Sequence, residues 1–139
     1  MKTYFIGIDI GTQGARVALL DEAGSQVASR EETFSLHDGW REEQDPELWW
    51  ASCLRLLQQL CNQVRNAIPV QQVKAMAVTS TSGTIIPLGR DGQPLHTAIM
   101  YSDPRSAGEA KLCCEAAAAA GYTGYTGFNS SSGLPKMLW

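Results

Sequence analysis

Asp9 is the lone acid in the apolar run Tyr4-Phe5-Ile6-Gly7-Ile8-Asp9-Ile10, which leads directly into Gly11-Thr12-Gln13-Gly14 and then Ala15-Arg16-Val17-Ala18-Leu19-Leu20. Residues of these types at this spacing suit phosphate binding. Glycines let backbone N–H groups approach an anion, and successive N–H groups in a turn form a concave anion site. Thr12 adds a hydroxyl donor and Arg16 a permanent positive charge. A carboxylate beside phosphates repels them unless a cation lies between, so the chemistry that suits Asp9 is to hold the waters of a Mg²⁺ ion. A plain hairpin in which Asp9 caps loop amides fits the same letters, and both roles stay open at this point. No Gly-Lys-Ser/Thr follows, so this is not a Walker A loop; the glycines lead into a strand pattern, so it is not a dinucleotide fingerprint.

A second concentration of polar groups is Ser80-Thr81-Ser82-Gly83-Thr84, four hydroxyls and a glycine, readable as a site or as a hydroxyl-rich turn. A third is Tyr101-Ser102-Asp103, where Asp103 precedes Pro104 and doubles as a candidate helix N-cap.

The elements that must position these groups follow from periodicity. Alternating Ile6, Ile8 and Ile10 predict a buried strand, Ala15 to Leu20 a second strand returning antiparallel, and Gln26 to Leu36 a third, giving a meander. Trp40 to Gln44 reads as an extended linker. Asp45-Pro46-Glu47 starts a helix, with Trp50, Cys53, Leu54, Leu57, Leu60, Cys61, Val64 and Ile68 as its apolar face and Pro69 as its end. Trp49 and Trp50 are expected as core anchors. Val73 to Thr79 is the next strand. A helix separates it from the meander, so it can lie parallel to the first strand, with its C-terminal end beside Asp9, where ligands bind in open α/β sheets. Ile85 to Leu88 and Leu95 to Tyr101 predict a hairpin; a second helix is expected from Asp103-Pro104 to about Ala120, stopped by Gly121. Gly121 to Gly127 is a Gly-Tyr-Thr echo read as loop, and Leu134 to Trp139 begins a further helix.

At 139 residues one domain is expected. A net charge of −3 offers no basic footprint for nucleic acid, and no segment reaches signal or membrane length, so the cytoplasm is the default location. Cys53, Cys61, Cys113 and Cys114 match no zinc spacing and are expected as buried free thiols; His37 and His96 are isolated and expected as surface or satisfied histidines, not as ligands.

Gly7-Ile8-Asp9-Ile10-Gly11-Thr12-x-Gly14-x-Arg16 resembles the first phosphate motif of the sugar-kinase, Hsp70 and actin superfamily. Three further segments, in order, bring the resemblance to the FGGY carbohydrate kinases: Trp40-Arg41-Glu42-Glu43-Gln44-Asp45-Pro46-Glu47-Leu48-Trp49-Trp50, Ala98-Ile99-Met100-Tyr101-Ser102-Asp103-x-Arg105, and Pro135-Lys136-Met137-Leu138-Trp139. The resemblance implies a ribonuclease H-like α/β domain with a mixed sheet: three antiparallel strands, then a parallel one, with helices packed on it. It implies transfer of the γ-phosphoryl group of ATP, with Mg²⁺, to a sugar hydroxyl. It implies that Asp9 organises the metal, that Gly11, Thr12, Gln13 and Arg16 meet the phosphates, and that Ser82, Gly83, Tyr101 and Asp103 meet the sugar.

Residues 1–139 would then be the N-terminal part of the first kinase domain of a longer chain. The ATP-binding domain and the Gly-Asp general base would lie beyond it, the chain alone would be inactive, and the full-length protein is expected as a homodimer with neither nucleic acid nor membrane as partner. Ser82 and Gly83 stand where glycerol kinase has Arg-Glu and bacterial xylulokinase Met-His-Gly, which argues against glycerol and, more mildly, against an ordinary xylulokinase; the small hydroxyl is more like the ribulose-kinase-like branch, and a ketopentose such as xylulose or ribulose is the expected substrate. Two alternatives remain: another actin-like ATPase such as a chaperone, whose members lack the segments that run from Trp40 to Pro46 and from Tyr101 to Arg105 here, and a sugar sensor or scaffold of the same fold that has lost transfer.

Overall fold

A computed structural model describes residues 2–124 and 126–139. The chain divides into two compact units, residues 1–36 with 47–81, and residues 37–46 with 82–139.

The first unit is a four-stranded sheet with a helix on one face. Its strands are β1 (Tyr4–Ile10), β2 (Gly14–Asp21), β3 (Gln26–Thr33) and, numbered in chain order after the short β4 described below, β5 (Val73–Ser80). Their order in the sheet is β3-β2-β1-β5. β1 to β3 form the expected antiparallel meander, and β5 runs parallel to β1. The third strand stops at Thr33, short of the expected Leu36, because Thr33 pairs with Gly14, the first residue of β2, and no strand remains to pair beyond it. Gly14 is required there: a Cβ on it would collide with the Glu32 carbonyl on β3.

Helix α1 (Pro46–Val64) covers one face of this sheet. Period two on β1 and β2 sends Tyr4, Ile8, Ala15, Val17 and Leu19 inward, where they meet Cys53, Leu56 and Leu60 of α1. The buried face of α1 differs from the expected one. Trp49, Ser52, Cys53, Leu56 and Leu60 are buried, whereas Trp50 is 63% exposed and Leu54 and Cys61 are also exposed. The face that turns inward is the one that packs Cys53, Leu56 and Leu60 on Ile8, Val17 and Leu19 of the sheet, and on its flank the Ser52 hydroxyl and the Arg55 guanidinium both donate to the Glu32 carboxylate of β3. Of the two tryptophans, only Trp49 is a core residue. A short 3₁₀ turn, Val70–Gln72, leads from Pro69 into β5.

The second unit is held by a small antiparallel pair, β4 (Glu43–Gln44) with β6 (Ala98–Ile99). The expected linker at Trp40 to Gln44 is therefore a turn, closed by the Glu42 and Glu43 amides on the Gly39 carbonyl, followed by a strand. The expected hairpin is reduced to the single bridges Ile85–Ile99 and Leu88–Pro94, because Ala98 and Ile99 pair with β4.

Helix α2 (Ala107–Ala119) begins later than the Asp103-Pro104 signal suggested. Asp103 is not its cap: the Asp103 carboxylate binds the Arg105 amide and guanidinium, fixing a turn ahead of the helix. Helix α3 (Gly133–Leu138) closes the unit against α2. Tyr125, within the Gly-Tyr-Thr echo, lies outside the described residues. All four cysteines are free; Cys53 and Cys113 are buried as expected, but Cys61 is exposed and Cys114 half-buried. No helix among the described residues is long and apolar enough to cross a membrane.

Candidate functional site

In the first unit, the parallel register sets Asp9 beside Thr79 and Ile10 beside Ser80, so the acid and the start of the hydroxyl-rich segment share one end of the sheet. On the other side Asp9 pairs with Arg16, and Arg16 with Glu31. Residues in register point to the same face, so Glu31, Arg16, Asp9 and Thr79 form a row across four strands, on the face opposite α1. The Arg16 Nε donates to Glu31 Oε2 at 3.2 Å, and a terminal nitrogen lies 3.9 Å from Asp9 Oδ2. Glu31 and Thr79 were not singled out in the sequence. Their signal is the alternation of the strands, but which residues stand opposite one another needs the register.

The turn between β1 and β2 is tight. The Gly11 amide donates to the Gly14 carbonyl at 2.9 Å, and the Gln13 carbonyl accepts from the Phe34 amide at 2.9 Å. Gly11 thus shapes the turn with its own N–H engaged, and Gln13 ties the turn to the end of β3. Among the described residues no group of three or more His, Cys, Asp or Glu side chains is placed to cage a metal. The donor set fits a different arrangement. Asp9, half-exposed at 51%, is a single carboxylate suited to the water shell of a Mg²⁺ that arrives on a nucleotide's phosphates, since Mg²⁺ keeps several of its waters.

In the second unit, Ser82, Gly83, Thr84, Asn129 and Ser131 border an open cavity of about 530 Å³. Gly83 has φ +78°, and a Cβ there would strike the Ser131 carbonyl, so only glycine lets the 82–84 turn lie against the 129–132 loop. Tyr101 adjoins this corner: its amide donates to Thr84 Oγ1 at 3.1 Å, and its Cβ would lie 3.6 Å from a Cβ on Gly83. The structure therefore brings Ser82, Gly83 and Tyr101 together. Asn129 and Ser131 are additional polar groups on the cavity, from a serine-rich loop that carries no periodic signal.

Asp103 is placed differently. It is 1% exposed, and both its carboxylate oxygens are held by Arg105 at 2.6 to 3.0 Å. Arg105 also donates to Glu43, which accepts from the Thr97 hydroxyl, and the guanidinium lies 4.5 Å from the centre of the Trp139 ring. Lys136, itself buried, donates to the Asp103 carbonyl at 2.8 Å. Burial pushes the Asp103 carboxyl up, but hydrogen bonds from Arg105 and the charges of Arg105 and Lys136 outweigh it and hold the group below its ordinary value. The Thr97 and Arg105 hydrogen bonds likewise lower Glu43. Burial lowers Lys136, with Asp103 opposing. Arg105, itself 40% exposed, is the hub of an ion network around the buried Asp103.

A strand-tip acid beside a tight glycine turn, on a sheet of three antiparallel strands and one parallel strand, belongs to an actin-like α/β fold. Residues 4–139 match the N-terminal domain model of the FGGY family of carbohydrate kinases, and the chain belongs to that family. It is 33% identical over 138 residues to the xylulose kinase of Escherichia coli (strain K12), which covers 97% of this chain and 28% of that protein. The crystal structure of a xyloylose kinase from Brucella ovis superposes with a TM-score of 0.82 at 23% identity, covering 98% of this chain and 28% of that one. Plasmodium falciparum glycerol kinase with ADP gives a TM-score of 0.71 at 24% identity, covering 99% and 28% respectively. The chain thus spans just over a quarter of the length of these relatives.

Proposed function

We propose that this chain is the N-terminal part of the first domain of an ATP-dependent sugar kinase that transfers the γ-phosphoryl group to a hydroxyl of a ketopentose such as xylulose or ribulose. The observation that carries the proposal is the β1–β5 register, which aligns Asp9 with Thr79 and Ser80 at one sheet end. The likeness to the Escherichia coli xylulose kinase supports the choice of substrate class, and Ser82 and Gly83, which lack long polar side chains, argue against a small polyol.

In this reading Asp9 holds metal-bound waters, while Gly11, Thr12, Gln13 and Arg16 form the phosphate side. For Arg16 this means turning from Glu31, an exposed pair of the kind that costs little to exchange. Bound Mg²⁺·ATP supplies the transferable phosphoryl group and offsets its charge. Ser82, Gly83 and Tyr101 present hydroxyls and backbone to the sugar. Asp103 joins them as a diol acceptor once Arg105 releases one of its oxygens, because a carboxylate has about four lone-pair positions and Arg105 makes four contacts there. The general base and the adenosine site belong to the longer chain. The full-length enzyme is proposed to be cytoplasmic and homodimeric.

The test is a panel of sugars and polyols with coupled ADP detection. The full-length protein should release ADP with a ketopentose, and the 139-residue chain with none. Absence of turnover on every sugar overturns the kinase reading, and turnover by the 139-residue chain overturns the division of labour.

A further inference from the structure

The loop that borders the cavity of the second unit is held from behind by α2. Alternate carbonyls of the loop turn to the helix. The Ser130 carbonyl accepts from the Ser106 hydroxyl at 3.3 Å, and the Thr126 and Phe128 carbonyls lie 3.1 and 3.4 Å from Cys114 Sγ, whose single S–H serves both. Asn129 and Ser131, which alternate with them, border the cavity. Ser106, Ala110, Cys113 and Cys114 fall at the i, i+4, i+7, i+8 spacing of one helix face, so the two donors act from the same side of α2.

Ser106 is put to an unusual use. It stands at the N-cap of α2, where its carbonyl accepts from the Ala110 amide at 3.0 Å. A serine there ordinarily turns its hydroxyl onto the amides of its own first turn. Here no such side-chain bond is made, and the hydroxyl of this 1% exposed residue goes to Ser130 instead. The loop is also stitched within itself. The Ser131 amide donates to Asn129 Oδ1 at 2.8 Å, the Asn129 amide to the Ser132 hydroxyl at 3.1 Å, and the Ser132 amide to the Asn129 carbonyl at 2.9 Å. A loop so stitched shifts as one piece. On its far side the Ser131 carbonyl rests on Gly83, where a Cβ has no room. Set between α2 and Gly83, the loop fixes the width of the cavity.

We propose that Ser106 and Cys114 are positioning residues for the sugar. Neither borders the cavity; both act through the loop, setting Asn129 and Ser131 at the distance from Ser82 and Gly83 that suits the substrate. The inference rests on the reading above, that this cavity takes the sugar. Loss of either donor lets the loop retreat from Gly83 and weakens the hydrogen bonds that Asn129 and Ser131 offer to sugar hydroxyls, since small misplacements of a binding group are costly.

The test compares full-length Ser106→Ala, Cys114→Ala and Cys114→Ser with wild type. Hydrogen exchange is followed in peptides spanning residues 126–133, and steady-state kinetics are measured on the best ketopentose of the panel. Ser106→Ala and Cys114→Ala should each speed exchange in the loop and raise KM for the sugar roughly threefold or more, with KM for ATP within about twofold of wild type. Cys114→Ser, which puts an O–H donor in place of the S–H, should recover both. Unchanged loop exchange in the two alanine variants overturns the proposal. So does faster exchange with an unchanged sugar KM, and so do equal rises in the KM for sugar and for ATP, which make the effect a general loss of structure. A Cys114→Ser variant that behaves as Cys114→Ala overturns the part assigned to Cys114. If the wild type phosphorylates no sugar while both alanine variants loosen the loop, the kinase reading falls and the hold of α2 on the loop stands.

Discussion

At the scale of single residues, the second unit turns on the Arg105 guanidinium, which satisfies the buried Asp103 and joins it to Glu43 and the Trp139 ring. A buried carboxylate with its partner removed is strongly destabilising, so the loss of Arg105, which strips Asp103 of its donors, is the costly way to break the pair. Its pH dependence has a definite sign. Asp103 and Glu43 are held below their ordinary values, so their contribution is complete above the unfolded values near 4 and is lost as pH falls through the lower folded values. Lys136 runs differently: its lowered value makes stability rise with pH between its folded and unfolded values, far from the acid window. Asp103→Asn should therefore melt below wild type at neutral pH, and the gap should narrow as pH falls below about 4. A gap unchanged at pH about 3 would show that the carboxylate's charge is not what holds the turn.

At the scale of elements, the strands were legible because β1, β2 and β5 carry period-two runs bounded by turn residues, and the observed ranges stay close to the expected ones. α1 was legible in extent but not in rotation. Trp50 and Leu54 belong to the same broad apolar arc as Cys53 and Leu60, and which part of the arc faces inward is a matter of tertiary packing on the sheet, with Ser52 and Arg55 tied to Glu32 on the flank. α2 starts later than the Asp-Pro pair signals, because Arg105, two residues on, takes the carboxylate that would otherwise cap the helix. In the candidate site the phosphate turn and the Ser82–Gly83 corner were visible as letters. Thr79 and Glu31 were not, since register is a pairing property, and the closure of Asp103 depends on a long-range ion network. The rotation of α1 has a measurable consequence. In the 139-residue chain Leu56→Ala should cost about 2–5 kcal/mol in urea unfolding, and Leu54→Ala about 1 kcal/mol or less. Equal losses would restore the sequence-based face.

At the scale of the whole molecule, a chain just over a quarter as long as its relatives carries two separable sets of polar groups. One is the cross-strand row on the first unit, with Asp9 between Arg16 and Thr79. The other is the hydroxyl-lined corner of the second unit around Gly83. Phosphoryl transfer needs positioning and charge neutralisation more than covalent chemistry, so a single carboxylate at a rigid strand end can matter greatly while contributing little to the fold. Asp9 is exposed and belongs to no core cluster, which makes it the residue whose loss should separate function from stability. The most direct measurement is turnover of the full-length protein on its best ketopentose, wild type against Asp9→Ala, with thermal melting of both. Asp9→Ala should lose turnover by roughly a hundredfold or more with a nearly unchanged melting temperature. Wild-type turnover by Asp9→Ala would contradict that expectation.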